Sequence, residues 1–199
     1  MAHPLVLAST SPYRAELLRR LGLGFEVAAP GVDESPQAGE APGARALRLA
    51  RAKALAVAAR YPGRWVIGSD QVADLEGRIL GKPGDAERCR AQLAAESGRV
   101  VLFHTAAVLL RQGERHAFEH VDLTTVRFRA LTADEIAQYV ELDRPFDCAG
   151  GFRSEGLGAA LFDSMETRDP AALVGLPLIW LAGALRSARL DPLARTEGV

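Results

Sequence analysis

Residues 66–83 read VIGSDQVADLEGRILGKP, preceded by Trp65. The apolar run Trp65-Val66-Ile67 predicts a short buried strand bounded by Gly68. That strand is expected to stop at Ser69-Asp70-Gln71, three polar residues where the chain should still be inside the protein. A carboxylate at a strand end is costly to bury unless it meets a cation, a metal or hydrogen-bond donors. A hairpin follows, with Val72, Leu75, Ile79 and Leu80 around the turn Glu76-Gly77. The stretch closes on Gly81-Lys82-Pro83, a turn that holds a lysine in a fixed place beside Asp70.

Working outward, strands and helices alternate. Upstream, Pro4–Ala8 reads as a buried strand that delivers Ser9-Thr10-Ser11-Pro12 to the start of a helix. Ser11 is a good N-cap and Pro12 suits the first helical position, with Gly22 as the stop. Free N–H groups, the helix dipole and Arg14 make this an anion site, or else a plainly capped helix with Arg14 in solvent. The glycines of a P-loop are missing, so a Walker-type site is not expected. Phe25–Ala29 predicts a second strand, and Pro30–Gly43 a loop carrying Asp33 and Glu34. Arg45–Tyr61 predicts an alanine-rich helix with Lys53 on the margin of its apolar face.

Downstream, Asp85 caps a helix that ends near Ala95. Arg99–Leu110 and His116–Phe128 read as two long strands rich in Val, Thr and Phe. Thr132 and Glu135 form a capping box for the helix Ala133–Leu142. Phe146–Gly158 is glycine-rich and irregular, which allows close backbone approach to a ligand. Leu161-Phe162 returns to strand, Arg168-Asp169-Pro170 leads into a turn through Gly175, and Leu178–Ala188 is the last helix. Residues 190–199 are expected to fray. The pattern predicts an α/β or mixed α+β domain over residues 1–199, built on a twisted mixed sheet flanked by helices.

Composition narrows the function. The chain has 199 residues, 48% hydrophobic and 25% charged, and a formal net charge of −1, which argues against a nucleic-acid surface built on bulk charge. The two cysteines, Cys89 and Cys148, fit no metal-ligand spacing and are expected to be reduced thiols of a cytoplasmic protein. No signal peptide and no membrane span are expected. Of 24 basic residues only Lys53 and Lys82 are lysine. Two lysines kept where arginine serves everywhere else suggest sites that need a compact point charge.

If Ser9, Arg14, Glu34, Lys53, Asp70 and Lys82 converge in one cleft, cations would hold a polyphosphate while carboxylates bind a hard divalent ion. A carboxylate would also accept the proton of the attacking water. Such a site suits metal-assisted hydrolysis of a phosphoanhydride. The alternative is that Asp70 and Glu34 are ordinary surface ion-pair partners.

The blocks LASTSPYRAELL, APGVDES, ARAKA, IGSDQV, GKP, YVELDRPFDCAGGFRSEG and VGLPL resemble, in order and spacing, the Maf-like nucleoside triphosphate pyrophosphatases. The resemblance runs from Leu7 to Leu178. It implies an elongated two-lobed architecture with a central cleft, and hydrolysis of a nucleoside triphosphate to the monophosphate and pyrophosphate with Mg2+ or Mn2+. It also implies Asp70 as proton acceptor, with Ser9, Arg14, Glu34, Lys53 and Lys82 around the phosphates and the metal. Tyr13, Gln71 and Glu155 resemble the branch that acts on 7-methyl-GTP, with the dTTP/UTP branch and a non-catalytic regulator of septum formation as alternatives. In that reading Tyr13 offers an aromatic face to the methylated base, Glu155 accepts from its Watson–Crick edge, and Gln71 orients the nucleotide. The partner implied is a small-molecule nucleotide, with no nucleic acid and no membrane; a homodimer is left open.

Overall fold

The computed structural model describes residues 3–114 and 117–194. Its centre is β3, Trp65–Leu75, an eleven-residue strand. The strand does not stop at Ser69. It runs straight through Ser69-Asp70-Gln71, because the buried Ser69 and Asp70 and the half-buried Gln71 each find a partner: Ala106 O and Gly175 O for Ser69, Lys53 for Asp70, Thr105 for Gln71.

On one edge β3 pairs antiparallel with β5, Val100–Arg111, from Trp65 to Asp74. The other edge is shared. Leu5–Ala8 (β1) pairs parallel with Trp65–Gly68, and Arg78–Leu80 (β4) pairs antiparallel with Ala73–Leu75. Between them Ser69–Val72 have no strand on that side. The sheet therefore has a notch in its middle, flanked by the chain leaving β1 at Ser9 and the turn after β4 at Lys82. With β2 (Phe25–Ala28), β6 (Phe118–Phe128) and β7 (Phe162–Glu166) the order is β2-β1-β3-β5-β6-β7, a mixed seven-stranded sheet. The expected start of β6 at His116 and the tail beyond 194 lie outside the described residues.

Strand alternation sends successive β3 side chains to opposite faces. Trp65 and Ile67 pack with Leu17 and Leu18 of α1 (Pro12–Arg19) and Leu181 and Leu185 of α6 (Leu178–Ser187). Val66 and Val72 face Ala46, Ala50, Ala54 and Val57 of α2 (Pro42–Ala58). Gly68 explains how close α2 lies: a Cβ there would stand 2.1 Å from Ala50 O and 2.8 Å from Ala54 Cβ. That approach carries Lys53, one residue before Ala54, into the protein, where it is 6% exposed and not marginal. A separate cluster at the other end of the sheet joins Phe103, Phe128 and Phe152 to α3 (Ala86–Glu96) and α4 (Ala133–Asp143).

The caps expected at Ser11, Asp85 and Thr132 with Glu135 are all made. Two boundaries differ. Helix α2 starts at Pro42, since proline at the first helical position loses nothing. The stretch read as a turn contains a short helix α5, Pro170–Val174, capped by Asp169. Five residues are too few for helical periodicity to register. No helix among the described residues is long and apolar enough to cross a membrane.

Glu96, at the end of α3, is fully buried. Burial pushes its carboxyl well above the ordinary value, countered only in part by Gln92 and the Arg78 charge. The folded state therefore holds a proton that the unfolded chain gives up in the ordinary carboxylate range, so stability falls as pH rises from that range toward the folded value. Glu96→Gln is expected to raise stability near pH 8 by ~1 kcal/mol or more, about 2–4 °C in Tm, with no gain near pH 4. Thermal melts of both proteins at the two pH values check this; a lower Tm for the variant near pH 8 contradicts it.

Candidate active site

The notch in the sheet opens into a cleft of about 560 Å³. Ser9, Tyr13, Arg14, Glu34, Lys53, Asp70, Gln71, Lys82 and Glu155 all line it. Residues spread over most of the chain thus meet because β1, β3 and β4 leave one gap between them.

At its floor, Lys53 Nζ lies 2.6 Å from Asp70 Oδ1 and 2.7 Å from Glu34 Oε1. One buried ammonium bridges two carboxylates. The Asp70 side chain is 10% exposed, whereas that of Glu34, on the loop before α2, is 56% exposed. Burial would raise the Glu34 carboxyl, but the hydrogen bond and charge of Lys53, with Lys82 and Arg14, bring it below the ordinary value. Lys82 is exposed on the rim and acts there as a charge over distance. Among the described residues Asp70 Oδ2 takes no side-chain hydrogen bond and remains for a ligand or water.

At the start of α1, Ser9 is 3% exposed and its oxygen accepts from Ser11 N at 3.1 Å, leaving its own O–H for the cleft. Ser11 in turn accepts from Arg14 N at 3.4 Å. These local bonds use up two of the N–H groups that a bare helix end would offer to an anion. Hydroxyls, Arg14 and the other N–H groups of the first turn are the donors that remain. Arg14 Nε donates to Gly175 O at 2.9 Å. Burial lowers the Arg14 pKa, opposed by the charges of Asp70 and Glu34, so the guanidinium faces the same acidic pair.

The opposite wall is formed by the glycine-rich segment. The Arg153 guanidinium lies 5.9 Å from the Tyr13 ring centroid and 3.5 Å from Asp147. One face of the tyrosine is therefore occupied by a cation. Burial above all, with Cys148 next, raises the Tyr13 phenol to about 12, so it is a hydrogen-bond donor near neutrality. Glu155 is exposed at the rim, where its side chain accepts from Ser154 Oγ at 3.0 Å.

Gln71 lines the cleft beside Asp70, with its side chain on the other face of the strand. Alternation along β3 turns it away from Asp70, and its Nε2 lies within 2.9–3.0 Å of Thr105 Oγ1, Ala172 O and Leu173 O. Its amide nitrogen ties α5 to the sheet, so only the amide oxygen remains to orient a nucleotide.

Sequence reasoning missed Arg45, Arg153 and Gly175. Arg45 lines the cleft, lies 3.3 Å from Glu34 O through Nη2, and has a buried Nε with no partner among the described residues. Its signal was a basic residue in the first turns of the helix after an acidic loop. With 22 arginines in the chain, that signal does not distinguish Arg45 from the others.

No group of three or more His, Cys, Asp or Glu side chains arranged to hold a metal ion occurs among the described residues. The hard-oxygen pair Glu34 and Asp70 matches the way Mg2+ is held, by one or two carboxylates together with substrate phosphates and water.

Residues 4–188 match the family described as Maf-like protein. A 7-methyl-GTP pyrophosphatase of Xanthomonas oryzae pv. oryzae is 58% identical over 184 residues, which cover 92% of this chain and 96% of the relative. One of Xanthomonas axonopodis pv. citri is 55% identical over 184 residues, covering 92% of this chain and 96% of that one. A relative of the same name from Bordetella avium is 52% identical over 190 residues, 95% of each chain. With a match that spans nearly its whole length, this chain belongs to the Maf family of Maf-like proteins.

Proposed function

We propose that this protein hydrolyses nucleoside triphosphates to the monophosphate and pyrophosphate, with 7-methyl-GTP the preferred substrate. The observation that carries the reading is the buried Lys53 bridging Asp70 and Glu34 at the floor of a cleft lined by cations. The name shared by the relatives above supports the reaction and the base.

The triphosphate lies along Ser9, Arg14, Arg45 and Lys82, which supply O–H and N–H donors and positive charge against its polyanion. Asp70 takes the proton of the attacking water through its free oxygen, while Lys53 fixes the carboxylate through the other. Glu34 and Asp70 would hold a divalent cation, Mg2+ or Mn2+, which would supply charge neutralisation at the reacting phosphates. Lys53 then keeps the two acids at a set spacing, since their repulsion would otherwise spread them. We propose the cytoplasm as its compartment and a small-molecule nucleotide as its partner.

For the base, Glu155 accepts from the adjacent N1–H and N2 donors of guanine, which a pyrimidine does not have. Arg153 must leave the ring face of Tyr13 for a cationic purine to stack there. In a panel of 7-methyl-GTP, GTP, dTTP and UTP, kcat/KM for the methylated nucleotide is expected to exceed the others by ~10-fold or more. Glu155→Gln should erode that margin more than it slows pyrimidine hydrolysis. A wild-type preference for dTTP or UTP overturns the base assignment.

A further inference from the structure

Gly175 ends α5, and its carbonyl oxygen takes two side-chain hydrogen bonds, from Arg14 Nε at 2.9 Å and from Ser69 Oγ at 2.8 Å. Ser69 is fully buried, and its hydroxyl lies equally close, 2.8 Å, to Ala106 O, so its one proton is shared between the two carbonyls. One turn back, Ala172 O receives Thr105 Oγ1 at 2.9 Å and Gln71 Nε2 at 3.0 Å. Side chains of β3 and β5 thus grip the last carbonyls of a five-residue helix that has little stability of its own.

The face of β3 matters here. Asp70 points toward α2 and the cleft floor, while Ser69, its neighbour, points to the other face and cannot reach a nucleotide held at Asp70. Gly175 carries φ +123°, and a Cβ at this position would stand 3.3 Å from Arg14 Nε. The backbone there is shaped to bring a carbonyl against the guanidinium.

We propose that Ser69 is a positioning residue for Arg14. Acting through the Gly175 carbonyl, it fixes the Nε edge of the guanidinium and leaves the terminal nitrogens as the donors aimed at substrate phosphate. The proposal rests on the reading of Arg14 as a phosphate ligand. It also gives β3 two tasks on opposite faces, the base at Asp70 and the alignment of a phosphate donor through Ser69.

The test is a double-mutant cycle of Ser69→Ala and Arg14→Ala, using the best-hydrolysed nucleotide of the panel, with KM, kcat and Tm recorded for each protein. Ser69→Ala alone is expected to raise KM by ~3–10-fold with kcat nearly unchanged, the size of one buried hydrogen bond. Arg14→Ala is expected to raise KM by ~10-fold or more, as loss of a charge-assisted phosphate contact does. In that background Ser69→Ala should change KM by less than ~2-fold, because the two side chains share the Gly175 carbonyl and their effects are coupled. Equal effects on KM in both backgrounds, or no effect in the first, overturn the tether and leave Arg14 as a phosphate ligand. An Arg14→Ala protein with unchanged KM takes down the phosphate reading and the tether together. Should Ser69→Ala not fold, Ser69→Cys, near in size and a weak donor, carries the same expectations.

Discussion

Asp70→Asn is expected to lower kcat by ~10²-fold or more while the protein still folds. The amide keeps the shape of the carboxylate but cannot accept a proton from water. Folding should survive because Lys53, buried beneath it, still has Glu34 at 2.7 Å. Steady-state kinetics with a thermal melt check both halves of this expectation. A purified Asp70→Asn protein with near-normal turnover removes Asp70 from the role of base.

Lys53→Met should be about as damaging to activity, and more damaging to stability. The thioether fills the space of the lysine stem but leaves Asp70, only 7% exposed, without its cation. Removing one partner of a buried pair costs about 3–5 kcal/mol, discounted here to about 2–3 because Glu34 is open to water. Loss of ~10²-fold in kcat/KM is expected with it, since the base is no longer held and two acids face each other unscreened. The double variant Lys53→Met/Asp70→Asn should melt higher than Lys53→Met, because no uncompensated charge is then buried. A Lys53→Met protein as stable and active as the wild type contradicts the bridging role.

Much of this was legible in the sequence, for physical reasons. Caps at Ser11, Asp85 and Thr132 are read reliably because the hydrogen bond they make is local. Lys53 and Lys82 stood out against the arginines, and both line the cleft. Depth was not legible: nothing in α2's own pattern says that Gly68, on another element, lets the helix come near enough to bury Lys53. Ser69-Asp70-Gln71 looked like a strand end because their partners Ala106, Gly175, Lys53 and Thr105 come from other elements. Which way Gln71 points was not legible either, since alternation applies only once the strand is known to continue. Arg153 against Tyr13 is a contact across 140 positions of chain, and no periodicity reports it.

Cleavage in this cleft is expected between the α- and β-phosphates of the nucleotide. It is tested most directly by 31P NMR of the products formed from 7-methyl-GTP by the wild-type protein with Mg2+. The expected products are 7-methyl-GMP and pyrophosphate in equal amounts, both formed at least ~10²-fold more slowly when Asp70→Asn replaces the wild type. Formation of 7-methyl-GDP and orthophosphate, or binding of the nucleotide without turnover, would contradict it.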